Sequence, residues 1–316
     1  MKVLIVGCGY VGLPLGAELA RRGHAVFGLR RTADASGALA QARIQFLRGD
    51  VTDRAQLAAI APHFDGVVNT VAPSGGGPEA YHRTYFQGTQ NLIEWLAPAK
   101  LGKFVYTSST GVYGQDDGSL VDERSPAEPE AGTAKVLAAA ERLLLAAARE
   151  RNFPAVVLRV AGIYGPGRGF YLRQMLAGQA RLEGDGRRFV NMIHRDDLVG
   201  AILAALERGV PGQVYNVCDD EPATVAAVYD WLARELNVPP PPRVPGETRG
   251  PARRVATNKR ISNRRLREEL GYSLKYPTFR EGYRAELQAR AFVESSHLAT
   301  DGRDSRRQDP QAPPTA

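Results

Sequence analysis

Gly7, Gly9 and Gly12 carry the plainest chemical signal in this chain, because of what stands on either side of them. The apolar run Val3-Leu4-Ile5-Val6 reads as a buried parallel strand, and Leu13, Leu15, Leu19 and Ala20 mark the apolar face of a following helix. Glycines of this spacing between strand and helix cradle the pyrophosphate of a dinucleotide. Gly7 permits the tight turn, Gly9 lets backbone amides approach the phosphates, and Gly12 lets the helix pack on the strand. The first turn of that helix adds unpaired N–H groups and the positive end of its dipole. The second strand, residues 25–29, ends in Arg30-Arg31-Thr32. An acidic residue there would accept from a ribose 2′-OH, whereas guanidinium forks suit a 2′-phosphate. The expected cofactor is therefore NADP, with NAD as the alternative.

Such residues need a scaffold that gathers strand ends. Further strands are predicted at 44–47, 66–72, 103–107 and 155–160, alternating with helices over 79–96 and through 135–141. Asp53 stands where it can cap the helix after the third strand. This βαβα rhythm with short connections predicts an α/β fold, a Rossmann-type doubly wound parallel sheet. The second half has longer connections rich in Pro and Gly around isolated strands such as 213–217, and reads as a smaller C-terminal α/β substrate lobe. The expected division is an NAD(P)-binding domain over 1–162 and a substrate lobe over 163–294 with segments returning to the Rossmann core. A polar, Pro-rich disordered tail is expected over 295–316.

Composition narrows the function classes. A chain of 316 residues can bury a substantial core. No apolar run approaches the roughly 20 residues of a membrane span, and the chain opens on a strand rather than a signal peptide. Cys8 and Cys218 are the only cysteines, so a structural disulfide is not expected and a cytoplasmic location fits. The net charge of +7 is local: between Arg249 and Arg267 stand eight basic residues and no acidic one. That run could hold a phosphorylated substrate or form a solvated helix and loop. It lacks the aromatic interleaving of a nucleic-acid surface. The expected partner is a small-molecule substrate, with no nucleic acid and no membrane; the oligomeric state is open, a homodimer being one alternative. His194-Arg195-Asp196-Asp197 leads into a helix over 198–206, where an Asp serves as cap or first-turn partner of the dipole rather than as metal ligand.

Six motifs taken together resemble the extended short-chain dehydrogenase/reductases, the NAD(P)-dependent epimerase/dehydratase group. They are Gly7-Cys8-Gly9-Tyr10-Val11-Gly12, Gly49-Asp50-Val51-Thr52-Asp53, the run from Tyr106 to Gly114, the run from Arg159 to Gly167, Ile193-His194-Arg195-Asp196-Asp197-Leu198, and Val214-Tyr215-Asn216-Val217. The resemblance runs from Met1 to about Leu287. It implies that Asp50 contacts the adenine, that Val71 and Ala72 flank the cofactor, and that Tyr10, Val11, Val51 and Thr107 also line its site. It further implies a catalytic Ser or Thr, a Tyr and a Lys, the last two spaced Tyr-x-x-x-Lys on one helix face. In such a set the ammonium lowers the phenol pKa, the phenol exchanges a proton, and the serine holds the substrate oxygen.

The Ser position falls on Ser109 and the Lys position on Lys135, but four residues earlier stands Ala131. The chain is thus identified as an atypical member without the Tyr. Three explanations stand open. Tyr113, Tyr164, Glu130 or a water supplies the proton; the chemistry needs no strong acid; or the site is inactive. Lys135 would in any case contact the nicotinamide ribose. Thr110-Gly111 replace the acidic pair of the dehydratases, which argues against a sugar 4,6-dehydratase. Val190 stands where an Arg often serves a nucleotide sugar. On the substrate side the candidates are Tyr164, Arg187, His194 and Arg253. The expected function is an NAD(P)-dependent oxidoreductase or epimerase acting on a sugar, polyol or small carbonyl compound. The alternative is a catalytically degenerate NADP(H)-binding sensor or scaffold.

Overall fold

Short β-branched runs that are apolar on both faces assemble into a seven-stranded sheet sandwiched between helices. The computed structural model describes residues 1–33, 36–73, 75–245 and 257–304, apart from the side chains of 292–304. The strands are β1 (Lys2–Val6), β2 (Ala25–Arg30), β3 (Ile44–Arg48), β4 (Gly66–Asn69), β5 (Lys103–Ser109), β6 (Ala155–Val160) and β7 (Val214–Val217). They lie in the order β7-β6-β5-β4-β1-β2-β3, every pair parallel. Chain direction around the sheet reverses between β1 and β4, so the connections leaving them diverge and open a crevice at their carboxyl ends.

Alternation along each strand divides the core in two. Val3 and Ile5 of β1 belong to one fully buried cluster, Leu4 and Val6 to the other. The first face is covered by α1 (Gly12–Arg21) and, from the second half of the chain, by α3 (Arg195–Arg208). The second is covered by the helix Gly88–Leu96 and by α2 (Gly132–Arg151). A separate cluster around Leu172, Met192, Val228, Trp231 and Phe279 forms the second lobe, with α4 (Val225–Leu236) and the start of α5 (Phe279–Asp304).

The predicted strands recur with ends shifted by a residue or two, and the one over 66–72 stops at Asn69. There the chain turns under the glycine loop, where the Thr70 hydroxyl donates to Gly7 O at 2.7 Å. The helix expected over 79–96 is Pro78–Tyr81 and Gly88–Leu96 joined by a π-helical stretch, His82–Gln87. Asp53 caps the short helix Arg54–Ala58, accepting from Ala55 N at 2.9 Å and Gln56 N at 3.1 Å. α5 continues to Asp304, past residue 295 where composition predicts order to end; residues 305–316 lie outside the described part. Asp196 and Asp197 do lie in the first turn of α3, but the cap is His194, whose Nδ1 accepts from Asp196 N at 3.2 Å. Asp197 is fully buried and serves another segment. It accepts from Tyr272 Oη at 2.8 Å, Lys275 N at 2.6 Å and Tyr276 N at 2.9 Å, tying the C-terminal arm to α3. Among the described residues no helix is long and apolar enough to cross a membrane, and no group of His, Cys, Asp and Glu could hold a metal ion.

Candidate functional site

The carboxyl ends of β1, β2, β3, β4 and β5 open into one cleft of about 1400 Å³. Its floor is the turn after β1. Gly7 has φ +93°, and a Cβ there would come within 2.9 Å of Val71 N. A Cβ on Gly12 would lie 2.4 Å from Gly7 O, so this glycine lets α1 pack on the turn. A Cβ on Gly9 would meet no protein atom within 4 Å, because Gly9 faces the cleft. No side chain caps α1 and its first turn holds no acidic residue; Leu13 N donates to Gly9 O and Pro14 has no N–H, so what the turn presents to an anion is the Gly12 amide and the loop amides just before it. A dinucleotide fits this floor: the backbone is bare where a diphosphate must approach. Cys8 lines the same turn as packing; burial pushes its thiol up to about 12.

Arg30 and Arg31 enter the cleft from the end of β2, Asp50 and Val51 from the end of β3, Val71 and Ala72 after β4, and Thr107 from β5. Asp50 accepts from Thr52 N at 2.9 Å and Thr52 Oγ1 at 2.8 Å, which fixes its carboxylate at the rim. With Gly7, Gly9, Tyr10 and Val11, these sequence-predicted cofactor residues are brought to one place. Gly12, which packs α1 on the turn, and Lys135 do not line the cleft.

Ser109 lines the cleft at the end of β5. Its Oγ accepts from Gly111 N at 3.0 Å and caps the turn Thr110–Val112, so the hydroxyl proton remains available to an oxygen in the cleft. Across from it runs α2, and here the structure corrects the reading of the sequence. The helix begins at Gly132, with Ala131 as its N-cap, and Ala131, Thr133, Ala134 and Leu137 line the cleft. Lys135 is exposed on another face, since each residue turns the helix by about 100°. Among the described residues no lysine lines the cleft.

Tyr113 is also corrected. It is fully buried, its hydroxyl donates to Asn216 Oδ1 at 2.9 Å and accepts from Arg159 Nη1 at 2.9 Å, and it is not part of the cleft wall. Burial, as the largest influence, raises its pKa. Arg159 in turn pairs with buried Glu141 at 2.8 Å, and Glu141 accepts from Ser108 Oγ at 2.5 Å. Tyr164 is packed against α5, its ring centroid 4.6 Å from that of Tyr283, and burial raises its pKa strongly. His194 is 1% exposed and bonds Glu286 Oε1 at 3.2 Å through Nε2. Neither reaches the cleft wall. Arg187 is exposed and lies near Asp185 rather than in the cleft. Arg253 lies outside the described residues.

Several cleft residues had no motif to announce them. Tyr81 precedes the π-helical turn and Tyr85 lies within it, their ring centroids 5.2 Å apart, a spacing the sequence shows but does not aim. Arg168, Phe170 and Arg173 reach in from the second lobe, and Arg168 lies over the Tyr10 ring at 4.5 Å. Thr257 comes from within the basic run. The arginines of that run that are described are engaged elsewhere: Arg265 with Glu269, Arg267 with Asp220, Arg264 with Glu268, and Arg260 on Gly118 O.

The profile of the NAD dependent epimerase/dehydratase family matches residues 3–218. Protein YeeZ of Escherichia coli K12 is 32% identical over 284 residues, covering 87% of this chain and 96% of its own. The 3-diazoavenalumate denitrifying reductase of a Streptomyces species is 32% identical over 310 residues, covering 89% of this chain and 99% of its own. A solved structure of a functionally unknown conserved protein from Silicibacter pomeroyi superposes with a TM-score of 0.72 at 33% identity, over 92% of this chain and 99% of that one.

Proposed function

Since the chain belongs to the NAD dependent epimerase/dehydratase family, we propose that it is an NADP(H)-dependent oxidoreductase reducing a small carbonyl compound, sugar or polyol-derived ketone. The observation that carries this reading is the sharing of one cleft by the bare glycine turn, the Arg30-Arg31 pair and the hydroxyl of Ser109. A nicotinamide bound there supplies hydride exchange with a carbon. The chain's own residues do the rest. The amides of the glycine turn leading into α1 hold a diphosphate, Arg30 and Arg31 a 2′-phosphate, and Asp50 the adenine end. Ser109 donates its proton in a hydrogen bond to the substrate oxygen, oriented by the Gly111 amide.

Reduction is favoured over epimerisation for two reasons. The Streptomyces relative is by name a reductase. The Tyr-x-x-x-Lys pair would also stand at Ala131 and Lys135; Ala131 lines the cleft without a phenol and Lys135 does not line it, so the proton traffic of that pair is not available from α2. Calorimetric titration with NADPH and NADH, followed by an NADPH-oxidation screen over aldehydes, ketones and sugars, tests the reading. Tight NADPH binding with turnover of at least one carbonyl compound is the expected result. Tight binding with no turnover of any compound would leave a binding protein instead.

A further inference from the structure

A buried cation of the second half has no acid paired with it among the described residues. Lys259 is 4% exposed, and its Nζ donates to Tyr113 O at 2.8 Å and to Thr257 Oγ1 at 2.6 Å. Among the described residues it has no ion-pair partner. Desolvating an ammonium without a counter-charge is costly, and a neutral donor would tie these two acceptors together as well. Burial draws the Lys259 pKa down to about 8, where both protonation states are accessible near neutrality.

The hydrogen bonds have a direction. Because the ammonium donates into the Thr257 oxygen, the Thr257 hydroxyl proton is left to point elsewhere, and Thr257 lines the cleft. The other acceptor, Tyr113 O, directly follows the turn Thr110–Val112 that Ser109 caps. The ammonium is thus anchored to the same turn that orients the substrate-facing serine.

We propose that Lys259, acting through the Thr257 hydroxyl, delivers the proton taken up by the substrate oxygen during reduction, an assignment that rests on the reductase reading above. As hydride from NAD(P)H adds to the carbonyl carbon, the C=O π pair moves onto oxygen. The Thr257 O–H bond breaks as the product O–H bond forms. Thr257 regains a proton from Lys259 Nζ, and the neutral amine is reprotonated from water. The charged and titratable groups on the packed segments are engaged elsewhere. Asp117 accepts from Ser119 N, Asp122 from Arg124 N and Ser125 N, Glu123 from Asn216 N, Arg260 donates to Gly118 O, the Tyr113 phenol bonds Arg159 and Asn216, and Asp116 borders the cleft. Asn191 donates its amide to the Lys259 carbonyl.

The test follows NADPH oxidation with benzaldehyde, diacetyl and glyceraldehyde from about pH 6 to about pH 10, alongside NADPH affinity of each variant. Turnover of the best compound is expected to fall above about pH 8. Lys259→Met and Thr257→Val should each lower it by about 10²-fold or more with NADPH affinity unchanged, and the double variant should be no slower than either. Thr257→Ser should keep most of the activity. Lys259→Arg keeps the charge and both hydrogen bonds but cannot release a proton, so it should be as slow as the Met variant and show no fall at alkaline pH. Full activity in Lys259→Arg would overturn the relay in favour of a structural staple, as would a wild-type pH profile in Thr257→Val, which leaves the lysine in place. If wild type turns over none of the three compounds, the reductase reading falls and the relay with it. If wild type is active and the variants match it, the relay alone falls.

Discussion

Ser109 accepts the Gly111 amide and faces the cleft with its proton, and in the proposed reaction it holds the substrate oxygen rather than the cofactor. Ser109→Ala is therefore expected to leave NADPH affinity nearly intact and to slow turnover, which titration and steady-state rates separate. Arg30 and Arg31 act on the opposite quantity. Replacing either with Ala should cost about 1.5–3 kcal/mol of NADPH binding if it holds the 2′-phosphate, and nothing of NADH binding. Equal losses for both cofactors would place the arginine elsewhere. Lys259 also makes a claim on stability. Folding lowers its pKa from 10.5 to about 8, so between those values the unfolded chain binds more protons than the folded one. Stability then rises with pH across that window, by up to about 3 kcal/mol, and Lys259→Met should lose the rise. Urea unfolding of both proteins near neutral pH and near pH 10 measures the difference.

At the scale of elements, β5, β6 and α2 are joined beneath the site by one buried network. Arg159 of β6 holds Glu141 of α2, and Glu141 accepts from Ser108, the neighbour of Ser109. Removing one partner of a buried ion pair leaves the other charge uncompensated. Glu141→Ala should therefore cost about 3–5 kcal/mol, read as a lower urea midpoint. The cleft face of α2 makes a second prediction. Ala131 lines the cleft just before the helix while Lys135 does not line it, so a tyrosine at Ala131 alone reaches the cleft without its lysine. Thr133→Tyr with Leu137→Lys would instead set a phenol and an ammonium one turn apart at two cleft-lining positions. In the Lys259→Met background this double change should restore part of the lost turnover, of a lost factor of about 10²–10⁴. No recovery, with the cofactor still bound, would mean that the substrate oxygen lies out of reach of α2.

Over the whole molecule the chain does not divide cleanly at Gly162. β7 pairs with β6, and α3 covers one face of the sheet, though both follow that residue. A fragment of residues 1–162 would expose the β6 edge and the face that α3 buries, and is expected to lack cooperative unfolding. A fragment of residues 1–218 restores both elements, and circular dichroism melts compare the two. The strands, the glycine turn and the Arg30-Arg31 pair were legible in the sequence because each depends on near neighbours. Apolar runs set the strands, and turn geometry demands the glycines at positions 7 and 12. The phase of α2 was not legible: a run as rich in alanine as Lys135-Val136-Leu137-Ala138-Ala139-Ala140 has too weak an apolar stripe to say which face is buried, so Lys135 was misplaced. Tyr113, Tyr164 and His194 carry reactive groups in family motifs, yet their direction was decided by Arg159, α5 and Glu286, partners remote in sequence. Thr257 reaches the cleft, with Lys259 buried behind it, where the strand Arg260–Ile261 pairs with Leu120–Val121, beyond the turn that Ser109 caps. Local periodicity determined the sheet and the glycine turn, and long-range packing alone decided which side chains face the cleft.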